Sequence, residues 1–233
     1  MNITVYLGAN PGNRPEYARY AYELGQWIAG HGHTLIYGGS RTGLMGKLAD
    51  GALEQGGRVI GVEPRFFMEK ELQHQGLTEL IVTENMAQRK KKMLELGDLF
   101  LAFPGGIGTL EEISEIMSLN KLDMVPKPFA FLDYEAIGSL CRNSWTKWLE
   151  KGLCGKNGWK EFRSSGIWKN WNGTATEGNR ENQLQWIPAD LHGTAGHTPG
   201  GLPALVSRVV DLHGTVGAAR RAARKKVLSL DIS

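Results

Sequence analysis

The stretch PGGIGTLEE, residues 104–112, follows the apolar run Leu99 to Phe103 and precedes a helical run from Glu111 to Leu122. A strand therefore passes into a helix through glycines. Gly105, Gly106 and Gly108 let backbone N–H groups approach an anion closely, and the helix start adds the positive end of its dipole. The pattern predicts a phosphate cradle, with Thr109 adding a hydroxyl donor and Glu112 placed in the first helical turn. The same residues permit a second reading. Thr109 and Glu112 form T-x-x-E, the capping box of an ordinary helix start.

Working outward, the grammar repeats. Ile3 to Leu7 is a short apolar strand that runs into GANPGNRPEY, after which Tyr17 to Ala29 carries apolar residues at helical spacing. Thr34 to Tyr37 runs into GGSRTGLMG, residues 38–46, followed by a helix through Leu53. Further strands are predicted at Arg58 to Val62, Glu79 to Val82 and Phe129 to Leu132, with helices between most of them. Such alternation predicts an α/β chain with a Rossmann-like, doubly wound parallel sheet. Ligands of these sheets gather at the carboxyl ends of the strands, where the loops 38–46 and 104–109 both open.

The totals bound the function classes. A chain of 233 residues, 41% hydrophobic, supports one sizeable core, and a net charge of +3 is too slight to imply nucleic acid or an anionic membrane as partner. Two cysteines, Cys141 and Cys154, without paired spacing indicate neither a disulfide framework nor a zinc site. His31, His33 and His74 are scattered and read as surface or satisfied residues rather than metal ligands. The N-terminal apolar stretch is too short for a signal peptide or membrane span, so a cytoplasmic setting is expected.

Four spaced motifs, VYLGANPG, YGGSRTGLMG, MAQRKKKM (Met86 to Met93) and PGGIGTLEE, together resemble the Lonely Guy (LOG) family of cytokinin-activating nucleotide phosphoribohydrolases. The resemblance covers about residues 1–135. It implies hydrolysis of the N-glycosidic bond of a nucleoside 5′-monophosphate, AMP or an N6-prenylated relative, to free base and ribose 5-phosphate, without metal or redox cofactor. It also implies a homodimer. By this resemblance Arg89 and Glu112 are the catalytic pair, and the chemistry suits them. A carboxylate stabilises an oxocarbenium-like sugar and orients water, and a guanidinium holds oxygens bidentately. Met86 and Lys90 join them in binding substrate. Gly105, Gly106, Gly108 and Thr109 serve the 5′-phosphate, while Gly38, Gly39 and Ser40 close the other side. Lys91 and Lys92 read as a solvated face. The first loop has Ala9, Asn10 and Pro11 where the family carries serine, which removes a hydroxyl contact. The competing class is a non-catalytic nucleotide or molybdenum-cofactor carrier on the same fold.

The pattern stops near Glu135. Residues 1–135 form the catalytic domain on this reading, and residues 136–233 an aberrant, disordered or non-native tail. Six of the seven tryptophans lie in the tail, with polar, glycine-rich tracts and no sustained apolar period. Joining the third base of each codon to the first two of the next makes Trp145-Thr146 encode Asp, Asn170-Trp171 encode Leu, and Trp159-Lys160, Trp168-Lys169 and Trp171-Asn172 each encode Glu. Wobble choices then permit GYWQPL, FLDQMVRKGFM and an LEELE-like helix, the family's usual ending. The pattern suggests a reading-frame slip just after Glu135. The alternative is an appended module that binds a partner through tryptophans and the basic run Arg220 to Lys226.

Overall fold

The computed structural model describes residues 1–68, 72–133 and 151, and the backbone of 166–170. Short runs rich in β-branched and aromatic residues form the strands β1 (Asn2–Tyr6), β2 (Thr34–Tyr37), β3 (Val59–Pro64), β4 (Glu79–Thr83), β5 (Leu99–Ala102), β6 (Phe129–Asp133) and β7 (Gly166–Asn170). Between them lie α1 (Pro15–Gly30), α2 (Gly43–Glu54), α3 (Arg65–Met68), α4 (Met86–Leu96) and α5 (Ile107–Lys121). The sheet order is β4-β3-β2-β1-β5-β6-β7, and every pair is parallel.

Strand alternation sorts the core into two layers. Ile3, Val5, Leu35 and Tyr37 face one way and pack with Leu24, Ile28 and Leu48 of α1 and α2. Tyr6, Ile36, Ile60 and Val62 face the other way, toward Met93 of α4 and Ile113 and Ile116 of α5. The helices thus cover both faces, as a doubly wound sheet requires. Two glycines set how closely α1 and α2 approach. A Cβ at Gly25 would stand 2.0 Å from the Leu48 carbonyl oxygen, and one at Gly51 would stand 2.1 Å from that of Tyr22.

Of the expected tail, Trp145, Trp148, Leu149, both cysteines and Arg220 to Lys226 lie outside the described residues. The short piece that is described, β7, pairs in parallel with β6 and extends the sheet by one strand. Among the described residues, no helix is long and apolar enough to cross a membrane.

Candidate active site

The strand order reverses between β1 and β5, and a crevice at such a switch point is bounded by the loops leaving those strands. The loops interlock through the main chain. Gly8 N–H donates to the Pro104 carbonyl at 3.1 Å, and a Cβ at Gly43, at the start of α2, would stand 2.1 Å from the Ala9 carbonyl oxygen. The glycine turns after β1, β2 and β5 therefore form one floor. Ala9 takes part in it through its backbone.

Helix α5 begins earlier than the sequence pattern suggests. Its N-cap is Gly106, with no side-chain cap. Thr109 is consequently the third helical residue and Glu112 the sixth, in the second turn rather than the first. The T-x-x-E capping box does not form. Thr109 is buried and folds over Gly105, its Oγ1 2.1 Å from where a Cβ of that glycine would lie. Among the described residues, nothing fills the spaces beside Gly106 and Gly108. First-turn amides without a side-chain cap, next to open glycines, suit an oxyanion.

Helix α4 is built the opposite way. Its N-cap Asn85 accepts from Gln88 N–H at 3.0 Å, while Gln88 Oε1 accepts from Glu84 N–H at 3.1 Å, a reciprocal cap that fixes the first turn. One residue further on, Arg89 points inward. Its Nε donates to the Val62 carbonyl of β3 at 3.0 Å, and its Nη1 donates to Glu112 Oε1 at 2.5 Å. Both residues are buried, at 6% and 9% exposure, although each is charged when ionised. Burial pushes the Glu112 carboxyl above its usual range, while the Arg89 guanidinium pulls it back. Tyr6, at the carboxyl end of β1, is also buried beside Glu112. Burial first, and the Glu112 charge second, hold its phenol protonated far above its ordinary range.

The remaining predicted residues sit as follows. Gly38 lies against Arg89: a Cβ there would stand 2.6 Å from Nη2, so its lack of a side chain makes room for the guanidinium. Gly39 has φ +87°, a left-handed conformation that favours glycine. Ser40 Oγ is engaged within its own loop, pairing with Thr42 Oγ1 at 2.9 Å and accepting from Thr42 N–H at 3.1 Å. Met86 opens α4 and is exposed. Lys90 bonds Glu111, and its Nζ lies 3.1 Å from Glu115, so it ties α4 to α5 beside the buried pair.

Sequence reasoning passed over Glu63, the penultimate residue of β3 at the same edge of the sheet, which is 1% exposed. Its signal was a lone acid closing the apolar strand VIGVEP. Two of the described histidines have partners for their rings. His31 Nδ1 lies 2.9 Å from the Trp27 carbonyl, and His74 accepts from Gly76 N–H at Nδ1 and so donates from Nε2 to Asp50. Among the described residues, no group of three or more His, Cys, Asp or Glu side chains could hold a metal ion.

This arrangement has known counterparts. A family model described as "Possible lysine decarboxylase" matches residues 45–151. A cytokinin riboside 5′-monophosphate phosphoribohydrolase of Rhodococcoides fascians is 47% identical over 133 residues, 57% of this chain and 67% of that protein. One of Arabidopsis thaliana is 35% identical over 151 residues, 65% of this chain and 71% of that protein. A probable one of Oryza sativa subsp. japonica is 37% identical over 133 residues, 57% of this chain and 60% of that protein. The chain thus spans about two thirds of the length of these relatives. The solved molybdenum cofactor binding protein of Rippkaea orientalis shares the fold, with a TM-score of 0.51 at 24% identity over 70% of this chain and 95% of that one. The chain belongs to the Lonely Guy family, that of the cytokinin riboside 5′-monophosphate phosphoribohydrolases.

Proposed function

We propose that this chain hydrolyses the N-glycosidic bond of a nucleoside 5′-monophosphate, a cytokinin riboside monophosphate or AMP, releasing free base and ribose 5-phosphate. The observation that carries this reading is the buried Arg89–Glu112 pair standing at the edge of an uncapped glycine turn. The turn at Gly105, Gly106 and Gly108 receives the 5′-phosphate, and Thr109 shapes it. The sugar then lies over the pair. As the bond from C1′ to the base nitrogen breaks, its electrons leave with the base and the sugar becomes oxocarbenium-like. Glu112 stabilises that charge and orients a water, whose oxygen bonds to C1′ and keeps one proton as the product hydroxyl while the other passes by way of the carboxylate to the departing base. Arg89 holds Glu112 in place and offers its remaining donors to the ribose. Gly38 and Gly39 wall the opposite side.

Incubating the purified protein with AMP and with N6-prenyl-AMP and assaying free base tests the reading. Glu112→Gln and Arg89→Ala should each lose at least about a hundredfold in kcat. Binding of the nucleotide without base release would instead favour a carrier. On this reading the protein works in the cytoplasm as a homodimer, without nucleic-acid or membrane partners. Residues 136–233 are the product of a reading-frame slip. The nucleotide sequence of the gene checks this, since stop codons in the offset frame before an LEELE-like segment would sink it.

A further inference from the structure

Three buried polar atoms among the described residues have no hydrogen-bond partner: Tyr37 Oη, Glu63 Oε2 and Gln73 Oε1. All three belong to residues that meet around Gly39. Tyr37 ends β2 two positions earlier. Glu63 Cβ lies 3.2 Å from where a Cβ of Gly39 would stand. Gln73 bridges to Ser40, and His74 N–H donates to the Gly39 carbonyl at 2.9 Å. An acid in this position carries a desolvation cost that a glutamine or methionine of similar volume would avoid. Packing alone gives no reason for it.

Charge gives one. The turn Gly38–Gly39 is a thin partition, with the Arg89 guanidinium closing on Gly38 from one side and the Glu63 side chain on Gly39 from the other. The residue before Glu63 supplies the carbonyl that receives Arg89 Nε. Arg89 therefore stands between two acids, bonded directly to Glu112 and facing Glu63 across a wall without side chains. We propose that Glu63 is a positioning residue for Arg89: it holds the guanidinium from the far side of the Gly38–Gly39 turn, and its negative charge offsets part of the guanidinium's field at Glu112, so that this carboxylate remains able to serve the sugar and the water. This rests on the hydrolase reading above for its consequence, though not for its geometry. Among the described residues, the charged and titratable groups around Glu63 are few. Arg89 reaches it from α4, the Tyr37 phenol from β2, and Asp50 of α2 bears on Tyr37. Of these, Arg89 favours the ionised form of Glu63, against the burial that disfavours it.

A carbon-13 NMR titration of the Glu112 carboxyl in the full chain tests the positioning without relying on catalysis. Glu63→Gln should move the Glu112 titration to lower pH by about half a unit to one unit, and Glu63→Asp, which keeps the charge, should restore most of the shift. In base-release assays, Glu63→Gln should lower kcat about tenfold with KM within about twofold, and carry the acid limb of the kcat profile the same way. A Glu112 titration unmoved in Glu63→Gln overturns the proposal, as does an equal shift in Glu63→Asp. Base release absent from the unaltered protein overturns the hydrolase reading alone, since the titration still reports on Glu63.

Discussion

At the scale of single residues, the glycines of the cradle separate into two kinds, and the difference can be measured. A Cβ at Gly105 would meet Thr109 Oγ1 at 2.1 Å and Gly8 N at 2.9 Å, whereas one at Gly108 would meet none of the described residues within 4 Å. Gly105→Ala should therefore cost about 1–3 kcal/mol of stability through overpacking. Gly108→Ala should leave stability within about 0.5 kcal/mol or raise it slightly, because alanine is the better helix former. If the open space receives a phosphate, Gly108→Ala should still raise KM for AMP about tenfold. Urea unfolding and initial-rate kinetics on the two variants check this, and an unchanged KM in Gly108→Ala would remove the phosphate from that turn. The acid beside the cradle makes its own prediction. Burial lifts the Glu112 carboxyl above its ordinary range, and hydrolysis needs it ionised. The rate should consequently fall on the acid side with an apparent pKa above that of a free glutamate. A profile flat down to the range of a free glutamate would mean that another group carries the chemistry.

At the scale of elements, the site depends on how α4 and α5 are held together. Lys90 links them near their N-termini, and Lys127 secures the far end of α4. Lys127 Nζ donates to the carbonyls of Leu94 at 3.0 Å, Glu95 at 3.3 Å and Gly97 at 2.8 Å, closing the last turn with a positive charge where the helix dipole favours one. Lys127→Met should lower stability by about 1–2 kcal/mol. It should leave the pH dependence of base release alone, since the cap lies at the opposite end of α4 from Arg89. Denaturant midpoints and a rate profile distinguish this from a role in the site. Elements also separate what was legible in the sequence from what was not. Strands β1 to β6 were readable to within a residue or two, since β1, β2 and β5 are short apolar runs buried on both faces that end in glycine loops, whereas β7 lies in the stretch read as tail. The start of α5 was not. Ile107 is 81% exposed and sits between two glycines, so the first turn has neither the apolar face nor the propensity that marks a helix, and the pattern emerges only at Glu111. Arg89 and Glu112, 23 positions apart, could be named together from the spaced motifs. Their direct bond is a product of packing α4 and α5 on one face of the sheet. Glu63 was hidden for the opposite reason: an acid at the end of an apolar run reads as the point where a strand reaches water, and only the crossing of the Gly38–Gly39 turn over it puts it inside.

At the scale of the whole molecule, the buried acids set how stability varies with pH. Glu63 and Glu112 both have carboxyls raised by burial, each partly offset by Arg89. A carboxyl raised in the folded state binds its proton more tightly there than in the unfolded chain. Below the ordinary glutamate range both states are protonated, and neither residue disfavours folding. As pH rises past that range the unfolded chain ionises first, so stability declines until the folded carboxyl also releases its proton. Exposed pairs work the other way, as at Glu84, whose carboxyl the hydrogen bond from Arg65 lowers, but screening by water keeps that contribution small. The buried pair should therefore dominate, and stability should fall between the ordinary glutamate range and neutrality instead of rising as it does where paired surface acids control it. Glu63→Gln removes one of the two raised groups and leaves the volume unchanged. Its melting temperature should equal that of the unaltered protein near pH 4 and exceed it near pH 8, with the gap opening across the interval where Glu63 titrates in the unfolded chain but not in the folded one. Thermal melts of both proteins across that range measure the gap. A difference that stays constant with pH would place the ionisation of Glu63 in the ordinary range and show that its burial is relieved by groups other than Arg89.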